Sequence, residues 1–221
     1  MNRTVCFIPI KDNSTRVSKK NLRKFGRKPL FRHVIDTVIK SDKFDDVFVD
    51  TDSAEVKEYC ENNSINVIDR DPELSKDSAN GNDLLKSWVE MKPDYDIYFQ
   101  IFVTSPFLKI DTINDCVDFM KETSEYDSIF TGVEEYTWYW FDNKPINYEP
   151  KVLPRSQDAK PMIRETTSLY GITKEAFLSD NSRIGRNPKI YIVNQIEAVD
   201  IDTELDFFLA EQIKFKTNLR G

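Results

Sequence analysis

Lys11, Asn13, Ser14, Arg16, Lys20 and Asn21 crowd into one short stretch directly after the apolar run Thr4–Ile10. Backbone amides and small polar side chains in such a loop can cradle phosphates. The three cations can neutralise a triphosphate and stabilise a departing pyrophosphate. The same residues also suit a plain basic surface loop. The stretch is not a P-loop, since G-x-x-x-x-G-K-[ST] is absent, and it lacks the dinucleotide fingerprint G-x-G-x-x-G. Near the other end of the chain, Asp200 and Asp202 stand two apart. On an extended strand over Ala198–Ile201 they would point the same way, a spacing suited to a hard divalent cation such as Mg²⁺, which takes oxygen ligands and shares phosphates. The alternative is that Asp202 or Thr203 caps the last helix. A further acid pair, Asp50 and Asp52, ends another apolar run. It could serve a nucleotide, or Asp52 or Ser53 could cap the helix that follows.

These groups need a scaffold. Short apolar runs expected as strands (Thr4–Ile10, Asp46–Val49, Asn66–Ile68, Ile97–Phe102, Ser128–Val133) alternate with helical patterns at Leu30–Lys40, Ala54–Asn62, Asp83–Met91 and Ile110–Lys121. This rhythm predicts a mostly parallel sheet covered by helices on both faces, with ligands at the carboxyl ends of the strands. From Glu134 to Glu165 the rhythm stops in a stretch rich in aromatics and prolines, including Trp138, Tyr139, Trp140, Phe141, Pro145 and Pro150. Long excursions of this kind are usually functional. It reads as a flap over the site or against a partner subunit, or as a satellite cluster of the same chain. Strands at Ser168–Ile172, Lys189–Val193 and Ala198–Ile201 and a helix over Thr203–Lys216 complete the reading. The domain is thus expected over 1–133 and 166–221, with 134–165 inserted.

Composition narrows the function. The 221 residues are 39% hydrophobic and 31% charged, enough apolar material for a real core. No run reaches about 18 uncharged apolar residues, so no membrane span is expected. The N-terminus lacks a signal-peptide pattern, and Cys6, Cys60 and Cys116 form no C-x-x-C pair. Both features suggest a reduced, cytoplasmic protein without a disulfide framework or zinc site. A single histidine, His33, excludes most imidazole-based hydrolysis and reads as part of an ordinary helix. The net charge is −7, yet residues 1–32 hold ten Lys/Arg against one acid. A basic head on an acidic body suggests an anion site rather than a nucleic-acid surface.

The order of the motifs resembles the acylneuraminate cytidylyltransferase family across essentially the whole chain. The first motif, I-P-A-R-x-x-S-K/R-x-x-x-x-K-N, is matched by Ile8-Pro9-Ile10-Lys11 through Lys20-Asn21; V-S-T-D by Val49-Asp50-Thr51-Asp52; and R-P-x-x-L-x-x-D by Arg70 through Asp77-Ser78. Q-x-T-S-P is matched by Phe102-Val103-Thr104-Ser105-Pro106, and Y-D-S-x-F by Tyr126 to Phe130. The segment R-x-Q-D…E-N-G-S-x-Y is matched by Arg155 to Asp158 and Glu165 to Tyr170, and D-I-D-x-x-x-D by Asp200 to Asp206.

The resemblance implies a three-layer Rossmann-like nucleotidyltransferase fold with an inserted dimerisation flap. It implies transfer of CMP from CTP to the hydroxyl of a sialic-acid-like sugar acid with release of pyrophosphate, and a homodimer. It places Lys11, Asn13, Ser14, Arg16, Lys20, Asn21, Arg70, Asp77 and Ser78 around the nucleotide. Lys20, Arg16 and Asp202 are implied as catalytic, with Mg²⁺ on Asp200 and Asp202. Phe102, Thr104, Ser105, Gln157, Glu165 and Tyr170 fall on the sugar side. Departures from the pattern gather on that side: Phe102 stands for Gln, and Thr166-Thr167 for Asn-Gly. The acceptor is therefore open to a modified nonulosonic or Kdo-like acid. Other readings are transfer to a sugar 1-phosphate, disfavoured because no glycine lies between Ile10 and Phe25, and a non-catalytic anion-binding module.

Overall fold

A computed structural model describes residues 2–152 and 154–218, with the side chains of Ser156, Thr217 and Asn218 left aside. Met1, Leu153 and residues 219–221, which the domain reading includes, lie outside the described residues. The chain begins with β1 (Thr4–Ile10), whose seven residues are all buried. A small hairpin follows, β2 (Lys24–Phe25) and β3 (Lys28–Pro29), turned by Gly26 at φ +66°, a left-handed geometry that favours glycine. Then come α1 (Leu30–Ser41), β4 (Asp46–Thr51), α2 (Ala54–Asn62), β5 (Asn66–Asp69), α3 (Gly81–Met91), β6 (Ile97–Ile101) and α4 (Ile110–Glu122). The second half holds β7 (Ser128–Glu135), the two-residue strands β8 (Trp140–Phe141) and β9 (Lys144–Pro145), β10 (Met162–Thr173), α5 (Lys174–Asp180), β11 (Pro188–Ile192) and α6 (Glu204–Asn218).

Seven strands form one sheet in the order β11-β7-β10-β6-β1-β4-β5. Every neighbour pair is parallel except those of β10, which runs antiparallel to both β6 and β7. The apolar runs explain the layering. Alternate residues of a strand face opposite sides. Cys6, Ile8 and Ile10 pack with Phe31, Val34 and Ile35 of α1, Val56 of α2 and Ile113 of α4. Val5 and Phe7 pack with Leu85 and Trp88 of α3 and Phe177 of α5. Phe7 lies flat on the Trp88 ring at 4.7 Å. The three-layer arrangement predicted from the alternating pattern is thus the one observed.

Two local expectations are corrected. Ala198–Ile201 forms no strand; the segment turns and then runs irregularly into α6. Its apolar residues are buried against a different partner: Ile201 packs with Val17, Phe25, Phe207 and Ala210, so hydrophobicity marked burial rather than a strand. The strand expected at Ser168–Ile172 begins earlier, at Met162, and β7 continues to Glu135. Both sheet strands therefore run into the aromatic segment. Among the described residues, no helix is long and apolar enough to cross a membrane.

Candidate active site

The sheet order reverses at β1, which has β4 on one side and β6 on the other. Chains leaving the carboxyl ends of β1 and β6 diverge there, and open α/β sheets place their ligand crevice at such a point. A cleft of about 240 Å³ lies there, lined by Lys11, Asn13, Ser14, Arg16, Lys20 and Asn21 from the loop after β1. Arg70, Asp77, Leu84, Phe102 and Thr104 complete its wall. Most residues expected around a nucleotide are therefore brought together.

The cleft's cations are held by carboxylates. Arg16 Nη2 and Lys20 Nζ both approach Asp202 Oδ1, at 2.9 and 3.3 Å. Lys11 Nζ lies 3.2 Å from Asp77 Oδ1. Lys20 is only 6% exposed, and its ammonium also donates to the Ile201 carbonyl. Asn21 Nδ2 donates to the Lys11 carbonyl at 2.9 Å, tying the loop to itself.

The capping alternatives are resolved by side-chain geometry. Asp206 Oδ2 accepts from the Thr203 amide at 2.7 Å, and Thr203 Oγ1 accepts from the Asp206 amide at 3.2 Å. This reciprocal pair starts α6, so Asp202 is not the cap and keeps its carboxylate for Arg16 and Lys20. Burial alone would raise the Asp206 pKa, but the hydrogen bonds from Thr203 and the Asp202 amide outweigh it and hold the group low. Asp52 likewise caps no helix. It accepts from the Asp12 amide at 2.7 Å and from Ser75 Oγ at 2.8 Å, pinning the basic loop to the end of β4.

Several expected residues have other partners or lie outside the cleft lining. Arg70 lines the cleft, but its guanidinium is engaged with Asp50, Nε to Oδ1 at 2.9 Å and Nη2 to the carbonyl at 2.9 Å. Trp88 Nε1 holds the other Asp50 oxygen at 2.6 Å. Asp50 and Arg70 thus form a buried pair beneath the cleft. Ser78 is exposed, in a shallow depression with Asp71, Glu73 and Asp83. Ser105 is buried in the turn after β6. Gln157 is exposed on a short 3₁₀ turn within the aromatic segment and does not line the cleft. His33 is a helix residue in α1, with Nε2 2.9 Å from the Phe25 carbonyl. The three cysteines are buried and free; burial pushes Cys60 up to about 11 and raises Cys6 and Cys116 as well.

On the Phe102 side lies a cluster that sequence reading found only in part. Phe102 meets the Tyr170 ring edge-on at 6.2 Å. The Tyr170 hydroxyl donates to Glu165; burial, then this bond, raises its pKa. Arg183, from the loop after α5, lies 3.7 Å over the Tyr170 ring and donates Nη2 to the Tyr170 hydroxyl at 2.9 Å. A β-carbon on Gly81 would stand 2.5 Å from Arg183 Nη1, so the missing side chain lets the guanidinium approach α3. Arg183 had no sequence signal: it is one of two arginines in the loop after α5, with Arg186, and only tertiary packing brings it to β10.

Among the described residues, no group of three or more His, Cys, Asp or Glu is gathered for a metal. The chemistry of Asp200 and Asp202 nonetheless fits a hard cation that also takes phosphate oxygens. Asp200 Oδ1 is a buried oxygen without a hydrogen-bond partner among the described residues, while Oδ2 accepts from Thr167.

A mostly parallel sheet between two helical layers, with a cation-lined crevice at its switch point, defines a Rossmann-like α/β protein. The cytidylyltransferase profile matches residues 5–214, and the chain belongs to that family. It is 28% identical over 214 residues to N-acylneuraminate cytidylyltransferase of Streptococcus agalactiae serotype III, covering 93% of this chain and 52% of that one. It is 25% identical to pseudaminic acid cytidylyltransferase of Campylobacter jejuni, covering 98% and 97%. The chain thus spans about half the length of the N-acylneuraminate enzymes it matches. In fold it resembles CMP:2-keto-3-deoxy-manno-octonic acid synthetase complexed with CTP, with a TM-score of 0.72 at 16% identity over 97% of this chain and 99% of that one.

Proposed function

We propose that this chain transfers CMP from CTP to a hydroxyl of a nonulosonic or Kdo-like sugar acid, releasing pyrophosphate, with Mg²⁺ held by Asp200 and Asp202. The observation that carries the reading is the convergence of Lys11, Arg16 and Lys20 on one switch-point cleft, two of them against Asp202. The names of the relatives supply the nucleotide and the acceptor class.

In the transfer, the acceptor hydroxyl oxygen bonds to the α-phosphorus. The bond from that phosphorus to the oxygen bridging the β-phosphate breaks, pyrophosphate leaves with the electron pair, and the hydroxyl proton passes to solvent. Positioning and neutralisation of charge dominate such reactions. Lys11, Arg16 and Lys20 bind the triphosphate and stabilise the leaving group. Their present carboxylate partners compete with the phosphates, which keeps the cations placed before substrate arrives. Bound Mg²⁺ supplies charge neutralisation at the α-phosphate and eases loss of the hydroxyl proton. Phe102, Tyr170, Glu165 and Arg183 form the wall against which the acceptor lies.

The test is pyrophosphate release with Mg²⁺, each nucleoside triphosphate and a panel of nonulosonic acids, Kdo and sugar phosphates. Release is expected with CTP and one sugar acid, and Asp202→Asn should abolish it while leaving the fold intact. Release with sugar phosphates only, or near-normal turnover by Asp202→Asn at limiting Mg²⁺, would overturn the reading.

A further inference from the structure

We propose that Thr167 is a positioning residue for Asp200, fixing one carboxylate oxygen so that the other is the one offered to a divalent cation. This rests on the metal-dependent reading given above. Thr167 Oγ1 donates to Asp200 Oδ2. Asp200 Oδ1 is enclosed and has no donor among the described residues. A buried anionic oxygen without a donor is costly, and a hard cation is a partner that suits it.

The local backbone explains why Thr167 can do this. The pairing of β10 with β7 shifts register between Glu165 and Tyr170, and such irregularities re-aim a side chain. The neighbours of Thr167 face the sheet interior. Thr166 Oγ1 lies 2.7 Å from Thr131 Oγ1 and 2.8 Å from Ser168 Oγ, and Ser168 Oγ lies 3.2 Å from Thr131 Oγ1. This buried hydroxyl knot anchors the irregular stretch on β7. Thr167, between its members, turns instead to Asp200 in the loop before α6. Hydrogen-bond partners of metal ligands typically tune affinity by about 10–100-fold.

Mn²⁺ serves as the probe, its free concentration read by electron paramagnetic resonance with and without CTP. Thr167→Val should weaken Mn²⁺ binding about tenfold or more and leave metal-free CTP binding unchanged. Thr167→Ser, which keeps the hydroxyl, should restore the affinity. Asp200→Asn should weaken Mn²⁺ binding at least as much as Thr167→Val does. Should the valine replacement lower the melting temperature, Thr167→Ala gives a second comparison with serine at the same site. Wild-type Mn²⁺ affinity in both the valine and alanine variants, or equal loss in valine and serine, would overturn the role of Thr167 while leaving pyrophosphate release by the wild type intact. No Mn²⁺ binding by the wild type, with or without CTP, would overturn this proposal together with the metal reading.

Discussion

Arg183 is held from two sides, stacked on Tyr170 and hydrogen-bonded through Nη2 to the tyrosine hydroxyl and to Glu165. Its Nη1 side lies against Gly81 of α3, and its guanidinium carbon stands 5.7 Å from the Phe102 ring centre, a fixed cation beside Phe102. Arg183→Ala should therefore raise the KM for the sugar acid about tenfold or more, in line with loss of a charge-assisted contact, and leave the KM for CTP unchanged. Steady-state kinetics with each substrate varied in turn will tell, and equal changes in both constants would remove Arg183 from the acceptor side. His33 carries a different prediction. Burial holds its pKa down to about 4, against 6.5 when unfolded. Below pH 6.5 the unfolded chain takes up a proton that the folded chain refuses until about pH 4. Stability should be complete above pH 6.5 and fall as pH drops toward 4, by about 3 kcal/mol at most. Urea midpoints across that window should lose this slope in His33→Gln.

At the scale of elements, the buried Asp50–Arg70 pair joins the ends of β4 and β5 to Trp88 of α3. Both side chains are almost fully enclosed, at 1% and 2% exposure. Asp50→Asn leaves Arg70 without its counter-charge and should cost about 3–5 kcal/mol, read as a lowered urea midpoint. An unchanged midpoint would show that the pair contributes no net stability. This pair also marks where sequence reading stopped. Arg70 and Asp50 each sat in a motif pointing to nucleotide, and nothing in their spacing said that they meet each other twenty positions apart. The helices were legible because their apolar faces recur at 3.6-residue spacing, and α2 was bounded as observed. The strand expected at Ala198–Ile201 misled because a buried loop packed against α6 has the same apolar content as a strand. The basic loop was legible because anion binding, the role proposed for it, needs charge density, which composition displays directly. Of the cluster around Arg183, the resemblance placed Phe102, Glu165 and Tyr170 on the acceptor side; Arg183 itself was not legible, because only tertiary packing brings its loop to β10.

For the whole molecule, the aromatic segment between β7 and β10 is the part the sheet does not absorb. Trp140 and Phe141 are 57% and 75% exposed, and Tyr136, Ile146 and Val152 are exposed too. Exposed large apolar side chains this close together in one segment are what a partner surface would cover. Pairing of two copies through this segment, expected from the resemblance, predicts a concentration-dependent dimer in sedimentation velocity. Trp140→Ser combined with Phe141→Ser should shift it to monomer without lowering the melting temperature by more than a few degrees. A wild-type monomer at tens of micromolar would dispose of the idea. One strand, β10, leaves this segment at Met162, passes Thr167 beside Asp200, and reaches Tyr170 below Phe102. The nucleotide loop after β1 shares none of these residues. In the reading proposed above, the two substrates are thus written in separate passages of the chain. A descendant could exchange its sugar by rewriting Glu165 and Tyr170 of β10 and the Arg183 loop, with Thr167 kept between them, while its choice of nucleotide is inherited untouched.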